Sequence, residues 1–404
     1  MPKRVVLLTT GQPSTNPRLV KEADLLAELG FDTHVIYCYW AQWAIHTDLE
    51  ILQLKWWTAT CVGGNPFHNK LLYYYTRIRK KLISLFPSFL KGNLYWLSLL
   101  NARASVELLH AANSHPADMY IAHNLGALYP AFKAAKRNHA VFAFDMEDYH
   151  PGEAMPTKGT EAEKRRREYL LGKLLPHCAY VSFAADGYEE LTRKHITTDI
   201  QHPTVVYNTF PASEFIPPQP RSDACIRFIW FSQTLGRGRG LELFFEAIRQ
   251  ADVAYEITLI GQVNDRHFEA LLRQDPHLVI MPPMPQTQLH HLLSTYDIGL
   301  ALELNAADLN RNYSLTNKLF AYLQAGLLVL ATDTPAQQRF LQKYPEHHLL
   351  CAQNVESMRK AIQKLYTCLQ HIRSTAQVRY QQAKAIAWEN EQQKLIRIWE
   401  KVLR

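Results

Sequence analysis

The clearest candidate for chemistry in this sequence is a lysine at the predicted start of a helix. Lys318 lies in the first turn of a pattern that ends at Gly326, and the hydroxyl residues Ser314 and Thr316 stand before it, suited to cap free amides. The helix dipole disfavours a cation at this end. Helix amides and a lysine that converge there indicate a site for an anion such as a phosphate. The alternative is a solvated lysine on an ordinary α/β helix.

A second cationic segment is the loop 232–240 (SQTLGRGRG), which precedes another predicted helix. Its glycines let the backbone approach a phosphate closely, and Arg237 and Arg239 add forked donors. The pattern is not the dinucleotide fingerprint, because the next predicted strand ends in Gly261 and not in an acid. The loop therefore favours phosphate binding and counts against NAD.

Two successive predicted strands in the first half, 118–122 and 140–144, end in polar side chains. The residues that follow them are His123, Asn124, Asp145, Glu147, Asp148 and His150. The carboxyl ends of parallel strands meet at one edge of a sheet, so these residues are expected to point into one cleft. His123, Asp145, Glu147 and Asp148 are candidates for a general base that removes a proton from an acceptor hydroxyl. The alternative is a set of solvated or helix-capping carboxylates.

The chain opens with a βαβ pattern, a strand over 4–9 followed by a helix over 17–29 and a second strand. The loop between the first strand and the helix is expected at the same cleft, which places Gly11, Asn16 and Arg18 there. A solvated basic face is the alternative for the helix.

Residues 70–96 combine basic and aromatic side chains on an interrupted helical pattern. This combination is typical of contact with an anionic membrane surface. A pair of amphipathic helices that covers the sheet is the alternative, and no RNA-binding signature accompanies the segment.

Composition and length favour an α/β protein of two domains. The 404 residues are 47 % hydrophobic and 20 % charged, ordinary globular values. The net charge of +7 is too small to argue for nucleic acid, and the six cysteines form no CxxC pair, so no metal site is expected. No run is long enough for a signal-peptide core or a transmembrane helix, and we expect a cytoplasmic protein with peripheral contact on the inner face of the membrane.

The order of the predicted elements gives the domain organisation. A Rossmann-like domain is predicted over 1–210, a proline-rich linker over 211–220, a second Rossmann-like domain over 221–385 and a closing helix over 386–404.

Against this background, the pattern from Asn317 to Val329 (NKLFAYLQAGLLV) resembles the donor-sugar helix of GT-B glycosyltransferases of the glycosyltransferase 4-like group. Arg239-Gly240-Leu241 is similar to the core of that group's diphosphate-binding element. Two glutamates of the group are missing, because Tyr313 and Ala321 stand in their places. Glu303, at the end of a predicted strand, is a candidate to replace one of them in function.

The resemblance implies two Rossmann-like parallel-sheet domains that face a cleft, with the C-terminal helix crossing back to the N-terminal domain. It implies transfer of a sugar from a nucleotide-diphosphate sugar to an acceptor hydroxyl on a glycan or lipid-linked saccharide, with no metal and no further cofactor. Together with the motifs, it defines a predicted donor site of Ser232, Gln233, Arg237, Arg239, Gly240, Gly261, Glu303, Ser314, Thr316, Asn317, Lys318 and Leu319. The acceptor side comprises Gly11, Asn16, Arg18, Asn124 and His150.

Two alternatives to this function remain open at the level of sequence. The missing glutamates fit a degenerate sugar-nucleotide-binding protein, and the fold also fits a sugar-nucleotide epimerase. The absence of an Asp-x-Asp motif argues against a metal-dependent glycosyltransferase of the other common fold.

Overall fold

The computed structural model describes residues 2–85, 92–154, 160–196, 198–305 and 308–403, which form two compact units. The first unit comprises Met1–Val206 with Gln392–Arg404, and the second comprises Tyr207–Glu391. The proline-rich stretch 211–220 lies within the second unit, where Phe215 stacks on His290 with ring centroids 4.4 Å apart.

The first unit is built on a parallel sheet of seven strands. They are β1 (Arg4–Thr9), β2 (Asp32–Cys38), β3 (Thr58–Val62), β4 (Met119–His123), β5 (Val141–Met146), β6 (Tyr180–Phe183) and β7 (Pro203–Val205), in the order β3-β2-β1-β4-β5-β6-β7. The central strands are buried on both faces, as their continuous apolar sequences predict.

The helices of the first unit connect these strands. They are α1 (Pro17–Glu28), α2 (Trp43–Gln53), α3 (Lys70–Ser84), α4 (Leu94–Asn101), α5 (Ser105–Ser114), α6 (Leu125–Asn138), α7 (Thr160–Leu174) and α8 (Asp186–Ile196). The C-terminal residues from Gln392 also belong to this unit, and there Trp399 Nε1 donates a hydrogen bond of 2.9 Å to the Tyr180 hydroxyl.

The second unit is built on a parallel sheet of six strands. They are β8 (Ile226–Leu235), β9 (Tyr255–Val263), β10 (Leu278–Met281), β11 (Ile298–Ala301), β12 (Leu328–Thr332) and β13 (His348–Cys351), in the order β10-β9-β8-β11-β12-β13. Its helices are α9 (Leu241–Arg249), α10 (Arg266–Leu272), α11 (Gln286–Leu293), α12 (Leu309–Tyr313), α13 (Asn317–Gln324), α14 (Pro335–Leu341), α15 (Val355–Thr367), α16 (Leu369–Ser374), α17 (Ala376–Ala383) and α18 (Trp388–Val402), the last of which ends in the first unit. The predicted α/β class with two parallel sheets is confirmed.

The C-terminal helices differ from the sequence pattern, which predicts one helix over 355–372 and another over 375–403. The structure breaks each of them, although the sequence there contains neither glycine nor proline. At the second break, the amide of Trp388, the first residue of α18, donates to the Phe210 carbonyl at 3.0 Å instead of continuing the helix. Arg379 Nε donates to the Gly326 carbonyl at 3.0 Å, so α17 is fixed against the end of α13. A tertiary contact overrides helix propensity here.

The basic and aromatic segment 70–96 forms α3 and the start of α4, and its residues 86–91, including Phe86 and Phe89, lie outside the described residues. Within the described part of the chain, no helix is both long enough and apolar enough to cross a membrane.

Candidate functional site

A row of polar residues crosses the sheet of the first unit near the carboxyl ends of its strands. Thr9 of β1 is in register with His123 of β4, His123 with Asp145 of β5, and Asp145 with Ser182 of β6. Residues in register on parallel strands point to the same face of the sheet. Helix α1 supplies the charged partners of this row, Arg18 and Glu22, which lie one turn apart.

Arg18 and Asp145 form a bidentate ion pair inside the first unit. The Arg18 Nε and Nη2 atoms lie 2.6 and 2.7 Å from the two Asp145 carboxylate oxygens, and Arg18 also donates to the Val206 carbonyl. The side chains are 3 % and 1 % exposed. Burial alone would raise the pKa of Asp145, but Arg18 and His123 hold it well below its usual range. This geometry disfavours Asp145 as a base and Arg18 as an acceptor contact, because each is already enclosed by its partner.

His123 lies between two carboxylates. Its Nε2 is 2.8 Å from Glu22 Oε2 and its Nδ1 is 3.4 Å from Asp145 Oδ2. Burial opposes the charged form, yet Asp145 and Glu22 raise the pKa of His123 to about 9. A pKa of about 9 favours the protonated form of His123 at neutral pH, which disfavours it as a general base. The two cations and two carboxylates of Arg18, Glu22, His123 and Asp145 form a neutral group, the buried quartet.

The acidic loop after β5 contains the carboxyl group best suited to accept a proton. Burial raises the pKa of Glu147 to about 7, and the neighbouring carboxylates of Asp148 and Asp145 add to the shift. Glu147 is half-buried, as is Asp148. A general base works best when its pKa lies near the operating pH, so Glu147 is the strongest of the four sequence-predicted candidates.

The other predicted acceptor-side residues hold the loops at this edge of the sheet. Asn16 caps α1, its Oδ1 accepting from the Leu19 amide at 3.0 Å. Asn124 adopts φ of 67° and ties β4 to the end of β1 through a 2.8 Å hydrogen bond from Thr10 Oγ1. His150 Nδ1 lies 2.9 Å from Glu153 Oε1. These contacts are structural, and Gly11 lies beside them between β1 and α1.

In the second unit, three charged side chains meet above an indole ring. Lys318 Nζ lies 3.5 Å from Glu303 Oε1 and 5.2 Å from the centre of the Trp230 ring. Arg239 approaches the same carboxylate oxygen at 4.0 Å and the same ring at 6.0 Å. Burial lowers the pKa of Lys318, and Arg239 adds to this effect while Glu303 opposes it. The structure thus brings Lys318 and Arg239, two of the three cations predicted for the donor site, together around one carboxylate, and we call these two residues the cation pair.

Two of the predicted donor-site glycines stand where neighbouring backbone segments approach closely. Gly240 has φ of 78°, and a Cβ atom there would lie 2.8 Å from the Leu302 Cβ on the chain that leads to Glu303. Gly261 has φ of 157°, and a Cβ atom there would lie 2.6 Å from the Ser232 carbonyl oxygen. Any other residue at these positions would be strained and would push these segments apart.

The prediction of a loop over 232–240 is partly wrong, because β8 continues to Leu235. Ser232 and Gln233 belong to this strand, at a register shift between Phe231 and Thr234 that a β-bulge explains. Arg237 is exposed and its Nε lies 3.4 Å from Asp265 Oδ2, so it stands apart from the cation pair.

The start of α13 matches the predicted helix start. Thr316 is the N-cap residue, and its buried hydroxyl oxygen has no hydrogen-bond partner among the described residues. Asn317 Oδ1 accepts from Asn208 Nδ2 at 2.9 Å. Ser314 donates to the Arg311 carbonyl, and Leu319 is fully buried. Ala321, which stands where the resembled group carries a glutamate, is fully buried as well.

Sequence reasoning missed Glu22 and Trp230. Glu22 interrupts the apolar face formed by Leu19, Ala23 and Leu26, and a carboxylate on such a face is a signal for a buried partner. Trp230 lies within an apolar strand and gives no signal of its own, since only the fold brings Lys318 over its ring.

Comparison with known proteins finds no matching family model and no matching curated protein, but it finds solved structures of the same fold. One is sucrose-phosphate synthase from Thermosynechococcus elongatus, 10 % identical, with 99 % of this chain and 98 % of that chain covered and a TM-score of 0.67. Another is Anabaena HepE in complex with UDP and glucose, 13 % identical, with 99 % and 100 % covered and a TM-score of 0.67. A third is WaaG, a glycosyltransferase involved in lipopolysaccharide biosynthesis, 12 % identical, with 98 % of both chains covered and a TM-score of 0.64.

At these identities the likeness concerns the fold alone. It extends over the whole chain and over both parallel sheets, and the fold is that of the GT-B glycosyltransferases. The GT-B fold predicted from the sequence is therefore confirmed.

Proposed function

We propose that this protein is a metal-independent glycosyltransferase that moves a sugar from a nucleotide-diphosphate sugar to an acceptor hydroxyl in polysaccharide or lipid-linked glycan synthesis. The main structural evidence for the proposal is the cation pair. Lys318 and Arg239 converge beside the first turn of α13, whose amides and N-cap hydroxyl lie at the same end of the helix. Two cations and a helix N-terminus are the groups that bind a diphosphate. The neighbours with GT-B fold include HepE, solved with UDP and glucose.

The cation pair suits the bond that breaks in such a reaction. An acceptor oxygen attacks the anomeric carbon, the bond between this carbon and the diphosphate oxygen breaks, and the nucleoside diphosphate leaves with an additional negative charge. Lys318 and Arg239 stabilise that charge where it develops, and this is the electrostatic part of catalysis. Glu303 neutralises part of the pair, and we expect its carboxylate to give up these contacts as the diphosphate binds.

The proton of the acceptor hydroxyl requires a base, and we assign this role to Glu147. Its pKa of about 7 keeps a substantial fraction ionised at neutral pH, and the ionised form is the one that accepts a proton. We expect the transfer rate to be highest above pH 7 and to fall about tenfold for each unit of pH below it. Measuring kcat/KM from pH 5 to 9 checks this profile.

Glu147→Gln tests the assignment separately from the profile. We expect a loss of about 100-fold or more in kcat, because general-base catalysis contributes about 10² to 10⁴. Donor affinity is expected to stay unchanged, since Glu147 belongs to the first unit and the cation pair to the second. An unaltered pH profile in Glu147→Gln would contradict the role.

We further propose that α3 contacts an anionic membrane surface. Its exposed apolar side chains recur at helical spacing along one face. They are Leu71, Tyr74, Tyr75, Ile78, Leu82 and, just after the helix, Leu85. Lys70, Arg77 and Lys81 flank this face on one side, and all three are exposed. An exposed apolar stripe with a basic border fits the interface of an anionic bilayer.

Replacing Leu71 and Ile78 together by serine is expected to weaken binding to vesicles about tenfold or more, because each side chain loses about 1 kcal/mol of interfacial burial. Co-sedimentation with vesicles rich in phosphatidylglycerol measures the effect. Val378→Ser, an apolar position in α17 that is about as exposed as Ile78, is the matched control. Equal binding to neutral phosphatidylcholine vesicles would rule out the anionic surface.

A panel of UDP-, GDP- and TDP-sugars tests the main proposal. Thermal shift identifies the nucleotide sugar that stabilises the protein, since a ligand of the folded state raises its stability. Release of the nucleoside diphosphate in the presence of a saccharide acceptor then supports transfer. Binding without turnover would favour a binding protein, and an altered sugar found by product NMR without an acceptor would favour an epimerase. Stabilisation by no nucleotide sugar would contradict the proposal.

A further inference from the structure

A cavity of about 470 Å³ opens at the carboxyl edge of the first unit's sheet. Thr10, which follows β1, and Cys38 at the end of β2 form its floor, and α3 and the segment 101–104 form its walls. Ligands of parallel α/β sheets bind at this edge. None of the residues discussed above as acceptor-side contacts lines the cavity, so it is a separate feature of the same unit.

Seven of the described residues that line the cavity are cationic or aromatic. The cations are Arg77, Lys80, Lys81 and Arg103, and the aromatic residues are Tyr39, Trp40 and Tyr73. No acidic residue is among the described residues that line this cavity. We refer to it as the basic aromatic pocket.

The four cations differ in how many of their hydrogen-bonding groups already contact other parts of the protein. Arg103 is a fixed part of the wall, because it donates to the Gly64 carbonyl at 3.0 Å and to Thr76 Oγ1 at 2.8 Å while it stacks on the Tyr73 ring at 4.6 Å. Lys80 is half-buried and donates to the Asn101 carbonyl at 3.2 Å.

Arg77 and Lys81 remain available to a ligand. Arg77 donates to the Tyr73 hydroxyl at 2.8 Å, and both side chains are exposed. Within the described residues, neither forms an ion pair with a carboxylate. The pocket therefore presents two cations that form no ion pair with a described carboxylate, beside aromatic faces that suit a sugar ring.

The same helix joins this pocket to the apolar stripe of α3. Leu71 and Ile78 of the stripe lie on one face, Arg77 and Lys81 lie about a quarter-turn away, and Tyr73 and Lys80 lie further round towards the pocket. A molecule with an apolar chain, a phosphate and a sugar would meet these three zones in that order.

We propose that the basic aromatic pocket binds the phosphate-bearing sugar of the acceptor, with the phosphate on Arg77, Lys80 and Lys81 and the sugar ring against Tyr73 and Trp40. The identification of the bound molecule as the acceptor rests on the proposed glycosyltransferase function. The binding itself can be measured without donor or turnover. The phosphate belongs either to a soluble sugar phosphate or to a lipid-linked one, and both share the chemistry that the pocket recognises.

Isothermal titration of the purified chain at low ionic strength tests the pocket directly. The probes are the 1-phosphates of glucose, galactose and N-acetylglucosamine, their parent sugars, and glucuronate. We expect at least one 1-phosphate to bind ten or more times as tightly as its parent sugar and as glucuronate. Arg77→Ala with Lys81→Ala is expected to weaken that binding at least tenfold, whereas Lys70→Ala, an exposed cation of α3 outside the pocket, changes it less than twofold.

An alkyl glycosyl phosphate with the sugar that binds best distinguishes the two sources. Tighter binding than the 1-phosphate, lost in Leu71→Ser with Ile78→Ser, supports a lipid-linked acceptor, and equal binding supports a soluble one. Retention of binding in Arg77→Lys with Lys81→Arg shows that the alanine pair acts through charge and not through misfolding.

Three results would overturn the proposal: glucuronate binding as tightly as the 1-phosphate, no effect of the alanine pair, or the same loss in Lys70→Ala. Failure to transfer any sugar would leave these measurements intact and would count only against the proposed function.

Discussion

Lys318→Ala is expected to weaken binding of the nucleotide-sugar donor about 10-fold to 100-fold. A hydrogen bond to a charged group contributes about 1.5–3 kcal/mol, and about 1.4 kcal/mol corresponds to a factor of ten. The effect is expected at the upper end of that range, because Lys318 is only 6 % exposed and its ammonium meets the phosphate away from bulk water. Titration of the nucleoside diphosphate into wild type and variant measures it.

A second substitution, at Glu303, distinguishes a loss of donor binding from a loss of stability. Without the ammonium, Glu303 keeps only Arg239, at 4.0 Å, as a cation within ion-pair distance among the described residues, so Lys318→Ala is expected to lower the free energy of unfolding as well. Adding Glu303→Gln removes the buried charge and should restore stability without restoring donor affinity. Arg239→Ala is expected to weaken the donor less, because its side chain is 26 % exposed.

A matched control tests whether the effect is more than the loss of one positive charge. Lys360→Ala removes an exposed cation of α15 that pairs with Glu356 at 3.1 Å, in the same unit. Donor affinity in this variant should match that of the wild type. An unchanged affinity in both Lys318→Ala and Arg239→Ala would remove the cation pair from the donor site.

The sequence contained the information for the fold because short patterns agreed with each other over the whole chain. Strands such as Val5–Leu8 and Leu328–Ala331 are continuous apolar runs, which is typical of strands covered on both faces. The start of α13 and Gly240 could be predicted because each departs from the ordinary pattern. A lysine stands at the start of one apolar helix, and a glycine stands just before another apolar helix. These are local signals, and they were sufficient to predict the two halves of the cation pair.

The remaining parts depend on contacts between distant segments. β3 and α2 were missed because the segment 43–62 mixes polar and apolar residues without a clear period. The sequence predicts His123 and Asp145 as catalytic groups because they stand at strand ends. It does not show their partner Arg18, which stands 127 residues from Asp145. The basic aromatic pocket was missed for the same reason, as Arg103 and Tyr39 meet α3 only in the folded unit.

Asp145→Asn is expected to lower the free energy of unfolding by about 3–5 kcal/mol, because removal of one partner leaves a buried charge uncompensated. The variant keeps the shape of the side chain but leaves Arg18 and His123 as two enclosed cations with Glu22 as their remaining acid in the buried quartet. Urea denaturation followed by fluorescence measures the change. Hydrogen exchange, followed separately in each unit, shows where the destabilisation occurs, and we expect it to be confined to the first unit.

The pKa shifts set the pH at which the effect is largest. The folded-state pKa of His123 is raised, so its stabilisation is complete below the unfolded value of about 6.5 and is lost as the pH rises through about 9. The pKa of Asp145 is lowered, so its stabilisation is present above the unfolded value of about 3.9 and is lost as the pH falls further. Both contributions are therefore present near pH 6, where the comparison of wild type and Asp145→Asn should be made.

The double variant Arg18→Leu with Asp145→Leu shows whether the ion pair or the space that it fills matters. Replacing both charges by apolar groups leaves no buried charge unpaired, because His123 and Glu22 still face each other at 2.8 Å, so we expect this variant to be more stable than Asp145→Asn. Asp24→Asn removes an acid that pairs with Lys55 at 2.7 Å and accepts from Trp57 Nε1 at 2.7 Å on the outer part of α1. The asparagine oxygen can still accept from Trp57, so this variant controls for the loss of a partly exposed salt bridge. If Asp145→Asn destabilised the protein no more than Asp24→Asn does, the buried quartet would not be the structural element that its enclosure indicates, and His123 and Asp145 would again become candidates for chemistry.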